Sequence, residues 1–192
     1  MRTKPRIVVG ISGASGAMLG IRIVELLAAA GCETHLVVSR SGERTIGHEA
    51  GSDALRHVES LAFQHHPIED VGATIASGSF RTAGMIVAPC SMRTLSAIAT
   101  SAADNLLVRA ADVHLKERRR LVLLARETPL HLGHIRMMAA VTEMGAIVAP
   151  PVPAFYRRPQ SVMDIVDHTA RRAIDLLGLD IAALAEPWGG LG

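Results

Sequence analysis

The chain has few aromatic residues and no excess of either charge. Only five of its 192 residues are aromatic: three Phe, one Tyr and one Trp. Lys and Arg number 20 against 18 Asp and Glu, which leaves a net charge of +2. A general nucleic-acid-binding protein needs stacking platforms and a basic patch, so this composition argues against that class. Hydrophobic residues make up 49% of the chain, which excludes intrinsic disorder.

Cysteines and long apolar runs are also scarce. Cys32 and Cys90 are too few for a disulfide framework or a cysteine metal cluster, and the histidine pairs lack further ligands, so no metal site is expected. The longest uncharged run, Ile7 to Ile21, has 15 residues and four glycines. It is too short to span a bilayer and a poor signal peptide. The sequence therefore predicts a cytoplasmic protein without a membrane span.

Short apolar runs alternate with segments of helical spacing. We predict strands at 7–11, 34–38, 85–88, 121–125 and 146–149, with helices in the intervals, including 41–49, 92–101 and 104–117. Residues 51–77 show no clear pattern. Continuously apolar strands that alternate with helices indicate an α/β fold, a three-layer parallel sheet covered on both faces. We expect one domain over residues 1–192, with a tail from about residue 179, and ligands at the carboxyl ends of the strands.

Two helix starts can be predicted from capping residues. Thr128 is a candidate N-cap followed by Pro129 at the first helical position, in a helix that Gly145 ends. Ser161 and Asp164 form a capping box that opens the last long helix.

A glycine-rich turn follows the first predicted strand and opens a helix. Gly10, Gly13 and Gly16 are spaced G-x-x-G-x-x-G, which differs from the dinucleotide fingerprint and from a P-loop. Such a turn suits a mononucleotide or flavin phosphate at the helix N-terminus. A tight strand-to-helix turn without a ligand explains the pattern equally well.

A second polar turn, Ser91-Met92-Arg93-Thr94, follows the strand that ends at Pro89. Its hydroxyls and free N–H groups suit a polar ligand, although N-capping by Ser91 alone accounts for them. The neighbouring Cys90 has no charged residue beside it in sequence, so we expect a small core residue.

Charged residues outside these turns are further candidates. Arg126 and Glu127 follow a buried strand, where ligands bind in such folds, although a loop ion pair that contributes little stability is the alternative. Lys116 lies seven residues after Arg109, so both can project from one side of a helix. Arg172 lies at the edge of an apolar stripe, where it either binds an anion such as phosphate or extends to solvent.

Seven blocks of the sequence resemble the UbiX-type flavin prenyltransferases. They are VVGISGASG (8–16), ASGS (76–79), PCS (89–91), RAAD (109–112), LKERR (115–119), RETPL (126–130) and PAFYRRPQS (153–161). The resemblance runs from about Arg6 to Trp188, nearly the whole chain. It implies a flavodoxin/Rossmann-like domain that binds reduced FMN and assembles into a homododecamer.

The activity implied by the resemblance is metal-independent prenyl transfer. A dimethylallyl group would pass from dimethylallyl monophosphate to N5 and C6 of FMN, and a UbiD-type decarboxylase would receive the prenylated FMN. Two alternatives remain open: an FMN-dependent decarboxylase subunit and a non-catalytic FMN carrier.

The resemblance also implies roles for individual residues. Those that would contact FMN are Gly13, Ala14, Ser15, Ser39, Ser91, Met92, Arg93, Thr94 and Arg126. Those that would hold the prenyl phosphate or cover its site are Arg109, Lys116, Tyr156, Arg172 and Trp188. Four residues would act in catalysis: Ser15, Glu49, Lys116 and Glu127. Among them, Glu127 and Ser15 would move protons, and Glu49 would border the same pocket.

Three positions depart from the family pattern. Arg120 replaces a usual proline, Ala50 follows Glu49 in place of Thr, and Val71 stands where some relatives have tryptophan. The first reads as a surface change, the second weakens the role given to Glu49, and the third predicts an altered prenyl pocket.

Overall fold

Six parallel strands form one sheet in the order β3-β2-β1-β4-β5-β6. The computed structural model describes residues 4–181 and 190. The strands are β1 (Arg6–Ile11), β2 (Glu33–Val38), β3 (Gln64–His66), β4 (Gly84–Cys90), β5 (Leu121–Ala125) and β6 (Ile147–Val148). The helices are α1 (Ala17–Ala29), α2 (Arg40–Ala50), α3 (Ala54–Leu61), α4 (Met92–Ala99), α5 (Leu106–Lys116), α6 (Leu132–Glu143) and α7 (Val162–Asp175).

This strand order reverses direction between β1 and β4. The chain builds β1, β2 and β3 outwards on one side, then returns to add β4, β5 and β6 on the other. The carboxyl ends of β1 and β4 therefore border a crevice, which is where open α/β sheets bind their ligands.

Alternation along the strands divides the core into two layers. In β1, Ile7, Val9 and Ile11 pack with α1 and α7, whereas Val8 faces the opposite layer with α4 and α5. Strand β5 divides in the same way, with Leu123 in that second layer. Both faces are buried because each strand residue has a helix above or below it, which confirms the predicted three-layer α/β fold.

The N-terminus of α6 differs from the prediction. His131, not Thr128, is the N-cap: its Nδ1 accepts hydrogen bonds from the backbone N–H groups of Gly133 and His134. A neutral imidazole nitrogen accepts these bonds as a serine hydroxyl does. The backbone N–H of Thr128 instead donates to its neighbour Glu127 at 3.0 Å. The predicted capping box of Ser161 and Asp164 is confirmed at α7.

The segment without a clear sequence pattern, 51–77, contains α3, the three-residue strand β3 and a 3-10 turn at Thr74–Ala76. These elements are short, and β3 is the edge strand of the sheet, so apolar periodicity has little length in which to appear. Within the described ranges, no helix has the length and apolar character that crossing a membrane requires.

Two histidines are paired inside the sheet. Nδ1 of His35 in β2 lies 3.0 Å from Nε2 of His66 in β3, so one ring donates and the other accepts. Burial, with a smaller effect of the nearby His66, lowers the pKa of His35 to about 4. Burial also lowers the pKa of His66. Both rings are therefore neutral in the folded protein near pH 7.

This pair predicts acid sensitivity. The pKa of folded His35 lies below the unfolded value of 6.5, so its stabilisation is complete above pH 6.5 and is lost as the pH falls towards 4. The loss should be on the order of 3 kcal/mol. Urea unfolding between pH 7 and pH 4 should show a flatter pH dependence for His35→Asn, while the exposed His48→Asn should retain the wild-type slope. Equal slopes in all three proteins would contradict this account.

Candidate active site

A cleft of about 650 Å³ opens at the carboxyl edge of the sheet, at the reversal point between β1 and β4. Turns after β1, β2 and β4 form its floor and one rim, and the segment after β3 with the start of α5 forms the other side. Its lining comprises Gly13, Ser39, Arg40, Ser41, Ile68, Glu69, Val71, Ser91, Arg93, Thr94, Asp104, Asn105 and Leu107.

The floor of the cleft is held by a buried serine. The hydroxyl of Ser12 donates to the carbonyl of Pro89 at 2.8 Å and accepts from the N–H of Ser91 at 2.8 Å. This exchange joins the end of β1 to the end of β4. Ser12 was not singled out by sequence reasoning, although its place inside the glycine-rich turn was the available signal.

Three helix N-termini converge on this cleft. Ser39, Ser91 and Asn105 are the N-caps of α2, α4 and α5, and each accepts a backbone N–H of its own helix through its side-chain oxygen. The N-capping interpretation of Ser91 is therefore confirmed. Helix N-termini carry partial positive charge, so together they favour an anion such as a phosphate.

The glycine-rich turn touches α2 directly. A Cβ added at Gly13 would lie 2.3 Å from Cβ of Ser41 and about 3.2 Å from its backbone. Only glycine allows this approach, which brings the turn after β1 against the N-terminus of α2. Thr45 strengthens the contact, since its hydroxyl lies 3.3 Å from the carbonyl of Gly13.

Glu49, near the end of α2, occupies the N-terminus of α1. Its carboxylate accepts from the N–H groups of Gly16, at 2.9 and 3.1 Å, and of Ala17, at 2.8 Å. Burial alone raises the pKa of Glu49, but hydrogen bonds from Ser15, Gly16 and Ala17 and the charge of Arg126 together lower it. The N-terminus of α1 is therefore already supplied with an anion from within the chain.

Arg126 and Glu127 lie where the topology predicts, directly after β5 at the carboxyl edge. The backbone N–H of Arg126 donates to the carbonyl of Cys90 at 3.0 Å, which holds this turn beside β4. Both side chains are exposed. Glu49 accepts a hydrogen bond from Ser15 and is close enough to Arg126 for that charge to lower its pKa, so the structure groups these three residues. Cys90 is buried, and burial raises the pKa of its thiol to about 12, as expected for a core residue.

Lys116 lies away from the cleft, and Arg109 is not among its lining residues. Helix α5 begins at the cleft with Asn105 as its N-cap and runs back along the sheet, so its 11 residues carry Lys116 about 16 Å from that end. Lys116 reaches the amino edge, shortly before β5 begins. Arg109 donates to the carbonyl of Ala76 at 3.2 Å, in the segment that leads into β4.

Tyr156 and Arg172 form a third group. Tyr156 lies on a 3-10 turn, Phe155–Arg157, and its ring meets that of His168 edge-on at 6.4 Å between centroids. His168 and Arg172, four residues apart on α7, line the same small cavity of about 90 Å³. His168 connects the two predicted residues and was missed in the sequence, because histidine in a helix carries no signal of its own.

The other residues predicted to belong to the site lie in several different places. Met92 is buried in the core at the start of α4, and Arg93 lies 3.3 Å from Asp104 across the lip of the cleft. Ala14 lies in the glycine-rich turn. Trp188 lies outside the described residues. Val71 is half-exposed and lines the cleft, so the altered pocket shape expected at this position stays a prediction about a wall of this cleft.

These features define a nucleotide-binding cleft of the Rossmann type. A model of the flavoprotein family matches residues 1–173. The flavin prenyltransferase UbiX of Thauera aromatica is 57% identical over 92% of this chain and 90% of its own. UbiX of Neisseria meningitidis serogroup B is 55% identical over 97% of both chains.

Two solved structures extend the comparison. AnUbiX (PadA1), in complex with FMN and dimethylallyl pyrophosphate, superimposes with a TM-score of 0.94 at 48% identity, over 99% of this chain and 100% of that one. A dodecameric FMN-dependent UbiX-like decarboxylase from Escherichia coli O157:H7 gives 0.90 at 46% identity, over 97% and 100%. The chain belongs to the flavoprotein family and, within it, to the UbiX-type flavin prenyltransferases.

The close approach at Gly13 yields a prediction. Gly13→Ala should destabilise the protein by about 1–3 kcal/mol, because the new Cβ overlaps Ser41 and separates the turn from α2. Gly47→Ala is the matched control: its Cβ meets open space within α2 and should stabilise by about 0.5–1 kcal/mol. Urea unfolding measures both, and a Gly13→Ala protein as stable as wild type would refute the packing argument.

Proposed function

We propose that this protein transfers the dimethylallyl group of dimethylallyl monophosphate to N5 and C6 of reduced FMN. The observation that carries the proposal is the cleft itself, with three helix N-termini around one opening, in a chain about half identical to named flavin prenyltransferases. The solved relative that binds FMN together with a dimethylallyl donor supports the same pairing of ligands.

FMN fits the donor groups of the cleft. Its phosphate, an anion, suits the N-termini of α2 and α4, where Ser39, Ser91 and Thr94 add hydroxyl groups. The apolar side chains of Ile68, Val71 and Leu107 offer a wall for a flat ring system. Reduced flavin supplies the nucleophilic positions at which the prenyl group becomes attached.

The prenyl donor requires a second anion site. Lys116, Arg109 and Arg172, with the hydroxyl of Tyr156, are groups that stabilise the negative charge that develops as the phosphate leaves. Removing one such group from a preorganised site slows a reaction by about 100-fold or more. A protein that only binds and carries FMN does not need a second anion site, which argues against the carrier alternative.

One chain does not bring the whole of this second set to its own cleft. Lys116 lies at the amino edge of the sheet, whereas Arg126 and the cleft lie at the carboxyl edge. We therefore propose that neighbouring chains of a homo-oligomer complete each site, in an assembly of twelve like that of the E. coli relative. Exposed apolar residues on α6 and the proline-rich segment, namely Leu132, Ile135, Val152 and Phe155, suit burial between chains.

The carboxylates take different roles in this proposal. Glu127 is exposed beside Arg126 and is positioned to remove a proton, with Ser15 as its partner in proton transfer. Glu49 accepts two backbone N–H groups and remains ionised, so it orients Ser15 and the N-terminus of α1 and is unsuited to donate a proton. Trp188 is proposed to cover the site.

The product and the location complete the proposal. Prenylated FMN would pass to a UbiD-type decarboxylase. We place the protein in the cytoplasm, where its two buried thiols, Cys32 and Cys90, stay reduced. The FMN-dependent decarboxylase subunit is the alternative, since one solved relative carries a decarboxylase name.

The activity is tested anaerobically. The protein, reduced FMN and dimethylallyl monophosphate should yield a flavin heavier by one five-carbon prenyl unit when the extract is measured by mass spectrometry. Unmodified FMN, with a donor shown to react in a control enzyme, would refute the transferase. A decarboxylase subunit would leave FMN unmodified and act on a carboxylic acid.

Glu127→Gln tests the proton step. The variant should bind FMN with wild-type affinity and form prenylated FMN about 100-fold more slowly, because the amide cannot accept the proton. Flavin fluorescence gives the affinity and mass spectrometry the rate. Glu143→Gln, at the exposed end of α6, should match wild type in both. Wild-type turnover by Glu127→Gln would remove Glu127 from the mechanism.

A further inference from the structure

Two of the family-like blocks, 76–79 and 115–119, meet at the C-terminal end of α5. They are 36 residues or more apart in sequence and contain Gly78 and Glu117, to which the reaction above gives no role. Both surround Lys116, the proposed phosphate-binding residue.

The 76–79 turn is held by arginines. Arg119 donates to the carbonyl of Gly78 at 2.5 Å and to that of Phe80 at 2.9 Å, and Arg109 donates to the carbonyl of Ala76 at 3.2 Å. Charged donors to backbone carbonyls make strong hydrogen bonds, so the turn is fixed against α5.

The ammonium group of Lys116 is already paired with a carboxylate of this chain. Its Nζ lies 2.6 Å from Oε1 of Glu117, and the second carboxylate oxygen lies 4.0 Å from Arg119. The hydrogen bond from Lys116, helped by its charge, lowers the pKa of Glu117, so the carboxylate stays charged at neutral pH.

Gly78 makes room for this pair. A Cβ at position 78 would overlap the carboxylate oxygen of Glu117 and lie 2.7 Å from Nζ of Lys116. The two side chains thus close over the glycine backbone. Lys116 is paired with Glu117 at this turn, and both side chains remain accessible to solvent.

We propose that Glu117 is a positioning residue that acts through Lys116, as the internal counter-ion that a substrate phosphate must displace. The inference rests on the proposed function, because it takes Lys116 as a phosphate-binding group. Glu117 fixes the place of the ammonium group in the empty site. It also repels the bound phosphate, which weakens binding and speeds release of the inorganic phosphate product.

Binding of inorganic phosphate to the FMN-loaded oligomer tests this role. By calorimetry, Glu117→Gln should bind phosphate about two- to fivefold more tightly than wild type, the range expected for one exposed charge pair. The difference should shrink in high salt, which screens exposed charges. The KM for dimethylallyl monophosphate should fall by the same factor without a rise in kcat.

Two further variants define the outcome. Glu117→Asp keeps the charge and should stay close to wild type, and Glu143→Gln removes a distant charge and should do the same. Glu117→Ala replaces the Gln variant if that protein does not assemble. Unchanged or weaker phosphate binding by the neutral variants overturns the inference, as does a wild type that binds no phosphate. If the wild-type protein binds phosphate but leaves FMN unmodified, the proposed prenyl transfer is refuted and the proposed role of Glu117 is not.

Discussion

The common direction of the six strands determines which functional groups can meet. All strands end at one edge, so the turns after β1, β2 and β4 form one cleft there, with the N-termini of α2, α4 and α5 around it. The same rule sends the far end of each helix to the opposite edge. Lys116 therefore lies about the length of α5 from the cleft, and an active site that needs both edges requires a second chain.

Some positively charged positions on this chain are paired with a carboxylate of the same chain, and others are not. The N-terminus of α1 is filled by Glu49, and Lys116 is paired with Glu117. Among the described residues, the side chains that accept hydrogen bonds from the first turns of α2 and α4 are their own caps, Ser39 and Ser91, and an anionic ligand suits the other N–H groups there. Three hydrogen bonds hold the partly buried Glu49 carboxylate in place, whereas Glu117 forms an exposed pair of the kind that contributes little stability.

The sequence predicts the central strands and the turns around the cleft closely, because apolar runs and the residues that follow them are local signals. Strand β5 matches its predicted bounds, and the Ser161 capping box is present. The sequence-based prediction places the start of α6 wrongly, because a histidine nitrogen caps this helix. It assigns no helix or strand to residues 51–77. Contacts between distant segments, such as Gly13 with Ser41 and Gly78 with Glu117, depend on the tertiary fold and have no local signature.

The most direct test of a site shared between chains is co-assembly of two inactive variants. Lys116→Ala and Arg126→Ala chains with different tags are expressed together, and oligomers that carry both tags are isolated and assayed for prenylated FMN. Each variant alone should be inactive, and mixed oligomers should regain about a quarter of wild-type activity, since random pairing leaves one site in four with both residues intact. Mixed oligomers that assemble and bind FMN but stay inactive would contradict the account.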